Sequence, residues 1–386
     1  MKGISAAWLT RKLQVINSRK SRQRGGKIRA GAAPCLPFRK QNGIIMRKGK
    51  IFPAAIDKSF SCDRAGQKER NPHNMEIWEI LLLIVGVWAA FEIVFSAIVF
   101  FAAFRRGKKR GVEGTGEAYM LFEPLYREEK QYADGLEKRE VSVTARDGTT
   151  LKGDFYPAPN ARATLLYFHG YRGTSADFCF CIRFFHSRGF NVLLPDQRAH
   201  GRSGGKYICF GVKERFDCLD WIKFAGETLA QGLPVVLDGI SMGCTTVLLA
   251  TELDLPDQVK AVVADCGFTS AWEQIKHTIK TNMRLPAFPS LYLVSLFARI
   301  FAGIRLRGCD TRKAMEKNTT VPIFFATGTR DRVVPPEMTK QNYEACRAPK
   351  MLLLTEAAHG MSYLAAKAEY EKQLEDFLEG CLKQID

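Results

Sequence analysis

The sequence predicts an α/β fold: a mostly parallel sheet covered by helices on both faces, behind one long apolar helix. Three observations carry this. Apolar runs recur at LLYF (165–168), NVLLPD (191–196), PVVLDG (234–239), AVVAD (261–265), PIFFATG (322–328) and MLLLTEA (351–357). The central runs are continuous rather than alternating, as strands buried on both faces require. Helix-length segments separate them near 175–189, 212–229, 242–252, 336–347 and 366–382. Composition agrees: 46% apolar and 25% charged residues exclude a mostly disordered chain or a fibre.

The net charge of +17 invites a nucleic-acid reading until it is divided along the chain. Residues 1–74 carry 18 Lys/Arg against 3 Asp/Glu, residues 75–110 carry 5 against 3, and residues 111–386 carry 34 of each. No nucleic-acid partner is therefore expected for residues 111–386. Residues 1–74 show no lasting apolar period and read as a basic, disordered leader. Three identities stay open for them: a tail for anionic lipid or nucleic acid, an organellar transit peptide, or a non-native extension ahead of Met75.

Residues 77–104 are expected to form a transmembrane helix. Ile80–Phe104 holds 25 residues with one charge, Glu92. At about 1.5 Å per residue that spans a hydrocarbon layer of roughly 30 Å. Trp78 suits one interface, and Arg105, Arg106, Lys108, Lys109 and Arg110 end the run. Three Lys/Arg in the 20 residues before the run against five after it put the C-terminal bulk in the cytoplasm. Glu92 favours the competing reading, a buried core helix, because a mid-bilayer carboxylate is costly. Eleven cysteines without structural-zinc spacing agree with a reducing compartment.

Residues 105–137 read as a charged linker or helix, and 138–384 as the α/β domain. Val141–Ala145 and Leu151–Tyr156 flank a turn at Asp147-Gly148 and predict a hairpin. Residues 270–318 separate two strands by more than a normal connection and read as a helical cap insertion. Their second half is apolar almost all round, so it either walls a pocket, touches a membrane or is a buried helix.

The sharpest motif is Gly239-Ile240-Ser241-Met242-Gly243, between a buried strand and a small-residue helix. That context makes it a strained strand–turn–helix elbow, with Gly239 and Gly243 leaving room for close packing. A serine hydroxyl needs an imidazole base, and the imidazole an orienting carboxylate. Of the histidines, His73 precedes the apolar run, His277 lies in the insertion, and His186 in a helix-like block. His169, His200 and His359 sit at strand-end loops. His359 follows the final strand and Asp331 the strand before it, so Ser241, Asp331, His359 have the chain order this geometry uses. Asp265, also at a strand end, is the reserve acid, and Asp238 a structural carboxylate. The backbone N–H groups of Met242 and Tyr171 are the expected oxyanion donors. His169 reads as a loop brace; Arg198, His200 and Arg202 brace the site or meet substrate.

These motifs resemble the α/β-hydrolase superfamily: HGYRG (169–173), DQRAHGRSGG (196–205), GISMG (239–243), ADCGFTS (264–270), GTRDRVVPP (328–336) and EAAHG (356–360). The chain is similar to bacterial membrane-anchored hydrolases grouped with serine aminopeptidase and prolyl-oligopeptidase-like catalytic domains. The resemblance implies an eight-stranded sheet with a cap after the sixth strand. It also implies Ser241 as nucleophile, His359 as base and Asp331 as acid. Serine rather than aspartate at the elbow favours acyl transfer. The expected function is hydrolysis of carboxylic esters, medium-chain or lipid-like, through an acyl-enzyme, with no metal or organic cofactor required. An amidase or small-peptide hydrolase with the same triad and a non-catalytic membrane-tethered binding protein are the alternatives. Nothing in the sequence sets an oligomeric state.

Overall fold

Strands and helices alternate along the computed structural model, which describes residues 75–107, 117–176 and 182–383, all within the unit Asn71–Asp386. The readings of residues 1–74 and the position of His73 lie outside the described residues. The order is α1 (Ile77–Phe104), α2 (Glu117–Asp134), β1 (Arg139–Thr144), β2 (Thr150–Tyr156), β3 (Ala163–Phe168), α3 (Ile182–His186), β4 (Phe190–Pro195) and α4 (Glu214–Phe224). Next come β5 (Val235–Ile240), α5 (Met242–Ala250), β6 (Val259–Asp265), α6 (Ala271–Thr281), α7 (Ser290–Phe297), α8 (Thr311–Lys317) and β7 (Ile323–Gly328). The chain ends with α9 (Pro336–Ala345), β8 (Lys350–Thr355), α10 (Ser362–Ala365) and α11 (Lys367–Leu382). A π-helical turn extends α4 over Ala225–Leu229, and another extends α7 over Ala298–Ala302.

The eight strands form one sheet in the order β1-β2-β4-β3-β5-β6-β7-β8. The predicted hairpin is β1–β2, which joins the sheet antiparallel to β4, while β4, β3, β5, β6, β7 and β8 run parallel. The continuous apolar strands take the centre: every residue of β3, β4, β5 and β7 is buried. Edge strand β1 alternates, as a one-sided strand must. One face packs Leu165, Val192, Val236, Val263 and Phe324 against α11 through Tyr370, Leu374 and Leu378. The other packs Leu166, Leu193, Leu237, Val262 and Phe325 against Trp221 of α4 and Val247 of α5.

A third apolar cluster sits at the end where the parallel strands finish. It joins Val99, Phe100 and Phe104 of α1 to Ile208, Phe210, Met242, Phe268 and Trp272, and to Leu291 and Val294 of α7. The second half of α1 therefore packs on the segment between β6 and β7, while Ile77–Phe91 is largely exposed. Glu92, the charge within the apolar run, accepts a hydrogen bond from Ser290 Oγ at 2.8 Å. Two N-caps start helices in the β6–β7 segment: Ser270 Oγ accepts from Glu273 N, and Asp310 Oδ1 from Arg312 N.

The tightest junction lies between β5 and α5. A Cβ on Gly243 would stand 1.9 Å from the Phe168 carbonyl oxygen, and one on Gly239 2.4 Å from the Gly243 carbonyl carbon. Both obstacles are backbone, so no rotamer relieves them. Gly243→Ala is expected to destabilise the fold by at least about 2 kcal/mol. Gly380, helical and with open space around its Cα, gives the opposite expectation: Gly380→Ala stabilises by up to about 1 kcal/mol. Urea midpoints at unchanged slope measure both.

Candidate active site

Ser241 occupies the turn between β5 and α5 with φ 56° and ψ −112°, a backbone region that non-glycine residues rarely adopt. The turn is held by its neighbours. Ser241 N donates to Asp265 O at 2.8 Å, and Thr245 N to Ser241 O at 3.1 Å, which starts α5. The side chain is thereby turned out of the strand, beside the N-terminus of a helix, where developing negative charge is favoured.

The residues expected to work with Ser241 meet it. His359 Nε2 lies 2.9 Å from Ser241 Oγ, and His359 Nδ1 lies 2.6 Å from Asp331 Oδ2. His359 reaches this point from the loop after β8, where Gly360 turns with φ +68°. The other Asp331 oxygen, Oδ1, accepts from Val333 N at 2.8 Å and Val334 N at 2.9 Å, so the carboxylate is fixed from behind. The geometry fits one tautomer: Nδ1–H donates to Asp331, and Nε2 accepts from the serine hydroxyl. The carboxylate bonded to His359 is Asp331; the reserve acid Asp265 instead accepts from Ser362 Oγ at 3.2 Å. Asp238 is buried within β5, and burial pushes its carboxyl well above the usual range.

The loop after β3 lies against the serine: a Cβ on Gly170 would be 3.5 Å from Ser241 Cβ. Two histidines hold this loop. His169 Nε2 accepts from Gln197 N at 2.9 Å, and its Nδ1 lies 2.7 Å from Gly170 O. His200 Nε2 accepts from Arg172 N at 3.0 Å, and its Nδ1 lies 2.8 Å from Arg198 O. Burial pushes His200 down to about 3, so it is a neutral acceptor at pH 7. The brace continues through Arg198, which bonds Asp217 with two nitrogens and Asp147 at 2.8 Å. Arg202 joins Asp196, Asp154 and Glu140. Asp196 also accepts from Ser175 N at 2.7 Å and Arg202 N at 3.0 Å, which closes the turn around Gly201. Both arginines thus brace the loops.

His186 and His277 stand elsewhere, bonded to Pro157 O and Arg332 O. Two features carry no sequence signal of their own. The Cys266 thiol shares a corner with Asp331 and His359, their ligand-type atoms within 4.8 Å of one another; burial pushes that thiol well above its ordinary value. The loop after β3 is also tied to α1: Tyr171 OH donates to Ala103 O at 2.8 Å, and the Arg172 guanidinium donates to Ala102 O. Tyr171 further stacks on Phe210, ring centroids 5.5 Å apart.

Comparison with known proteins agrees with the fold. A family model described as the alpha/beta hydrolase fold matches residues 163–290, and one described as serine hydrolase (FSH1) matches residues 235–363. The uncharacterized protein YqkD of Bacillus subtilis (strain 168) is 27% identical over 305 residues, which cover 78% of this chain and 97% of YqkD. Protein bem46 of Schizosaccharomyces pombe is 27% identical over 222 residues, covering 56% of this chain and 68% of bem46. Among solved structures, the Pyrococcus furiosus esterase Pf2001 superposes with a TM-score of 0.55 at 24% identity, covering 72% of this chain and 99% of the esterase. With a parallel sheet, a serine elbow at the end of β5 and both family models on that region, the chain belongs to the α/β-hydrolase superfamily, among its serine hydrolases.

Proposed function

We propose that this serine hydrolase cleaves carboxylic esters, medium-chain or lipid-like, with Ser241 as nucleophile, His359 as base and Asp331 as the acid that orients it. The observation that carries the proposal is the unbroken hydrogen-bonded line from Ser241 Oγ through both nitrogens of His359 to Asp331. In this mechanism His359 Nε2 takes the Ser241 proton as Oγ attacks the substrate carbonyl. Asp331, anchored by two backbone N–H groups, stabilises the imidazolium that results. The backbone N–H groups of Met242 and Tyr171 receive the charge on the tetrahedral oxygen. His359 then protonates the leaving alcohol, and water hydrolyses the acyl-enzyme by the same route. The esterase Pf2001, similar in fold, supports an ester as the substrate class.

The proposal includes a single-pass anchor, α1, with the catalytic domain, residues 138–384, on the cytoplasmic side. Ile77–Phe104 is long and apolar enough to cross a membrane, and its first half is exposed. The basic residues after the run support the orientation.

A fluorophosphonate probe is expected to label wild-type protein at Ser241 and to leave Ser241→Ala unlabelled. On a nitrophenyl ester, Ser241→Ala is expected to lose at least about 10⁴-fold in kcat, and Asp331→Asn about as much through the wrong imidazole tautomer. Equal hydrolysis by wild type and Ser241→Ala would remove the serine from the reaction. Across a series of nitrophenyl esters, kcat/KM is expected to rise from acetate to medium chains; a flat series or an acetate optimum contradicts the lipid-like substrate.

A further inference from the structure

The anchor is not independent of the enzyme, and its length makes the overlap consequential. At its start, Glu76 and Glu79 form a capping box, Glu76 N donating to Glu79 Oε2 at 3.0 Å. These carboxylates mark the water side of the helix, so the hydrocarbon stretch begins at Ile80. Crossing roughly 30 Å takes about 20 residues, which carries it from Ile80 to Val99. Only Ile80–Phe91 of that stretch stands clear of the protein; this supplies about 18 Å at 1.5 Å per residue. The remaining depth, about 12 Å, must come from Glu92–Val99. That is the segment packed along α7.

The residues beside it suit such a setting. Ser290 Oγ hydrogen-bonds Glu92, so the carboxyl inside the apolar stretch has a partner. Phe100 packs on Phe297 and Phe301 at ring distances of 6.2 and 5.7 Å, and Phe101 on Phe301 at 5.3 Å. The outward side of the same unit is largely apolar: Phe288 is 70% exposed, Tyr292 52% and Leu296 49%, with the Arg307 guanidinium 5.3 Å from the Tyr292 ring. This face continues the exposed apolar surface of α1. Arg105 and Arg106 follow α1, and Arg299 and Arg305 lie at the C-terminal end of the α7 unit, exposed cations suited to phosphate headgroups. Lys280 and Arg284 precede the face and are themselves exposed.

We infer that the outer face of Phe288–Leu296 is immersed in the bilayer beside α1, which sets the Ser241 site at the membrane–water boundary and selects substrates drawn from lipid. The inference rests on the reading of α1 as a membrane anchor. The inner side of the same unit leads to the site: Leu291 and Val294 belong to the cluster that contains Met242 and Phe268.

The test uses full-length protein in phosphatidylcholine vesicles containing doxyl-labelled lipid. Bimane is attached to Leu82→Cys, Phe288→Cys, Leu296→Cys and Thr228→Cys, with wild-type protein labelled in parallel for the native-thiol background. All four positions are exposed, so no core packing is removed. Thr228 precedes β5, at the end of the sheet opposite Ser241. Expected is strong quenching at positions 82, 288 and 296 and none at 228. Quenching at 82 with positions 288 and 296 matching 228 overturns the immersed face and leaves the anchor standing. Absence of quenching at 82 overturns both.

Discussion

The contact on which the site depends is backbone against backbone, where the first turn of α5 meets the ends of β3 and β5. Gly243 lies so close to the Phe168 carbonyl that no side chain fits between them. That approach lets the chain reverse within one residue, and the strained φ of Ser241 is its consequence. The surrounding sheet over-determines this conformation: β5 is buried along its whole length, and Asp265 O holds Ser241 N from the neighbouring strand. Asp331 and His359 arrive from the two strands beyond β6, so the sheet order that buries the apolar runs also lines up Ser241, His359 and Asp331.

Around that centre the histidines divide by environment. His169 and His200 are buried and spend both ring nitrogens on neighbouring backbone groups, as braces for the loop at Gly170. His359 is partly open, with one nitrogen on a carboxylate and the other on a hydroxyl. A proton gained at His200 would break the Arg172 N–H bond and leave a buried charge. A proton gained at His359 faces Asp331 at 2.6 Å. The same side chain thus serves rigidity in one place and is suited to proton transfer in the other.

Much of this was legible in the sequence because it is local. Continuous apolar runs marked the strands, the glycine spacing marked the elbow, and strand-end positions brought Asp331 and His359 forward from a small set of candidates. Their order along the chain needed no tertiary knowledge. What the sequence concealed arises from contact between surfaces of the same character. Nothing in the period of 77–104 distinguishes the exposed half of α1 from the half that packs on α7, since both are equally apolar. The Glu92–Ser290 bond joins residues 198 positions apart, and the Tyr171–Ala103 bond uses a backbone acceptor that has no sequence identity at all. Cys266 was hidden for a similar reason: its thiol meets Asp331 and His359 only because three loops converge.

The described cysteines supply an internal clock. Seven are free thiols, and six of them, among them Cys244 and Cys266 beside the elbow, are buried. Burial keeps both of those thiols protonated, so a reagent in solution finds neither an exposed sulfur nor a thiolate. Alkylation at either position has to wait for the strand–helix junction to part. Their slow modification therefore times how long the strained serine turn stays closed, a lifetime that no measurement of turnover reports.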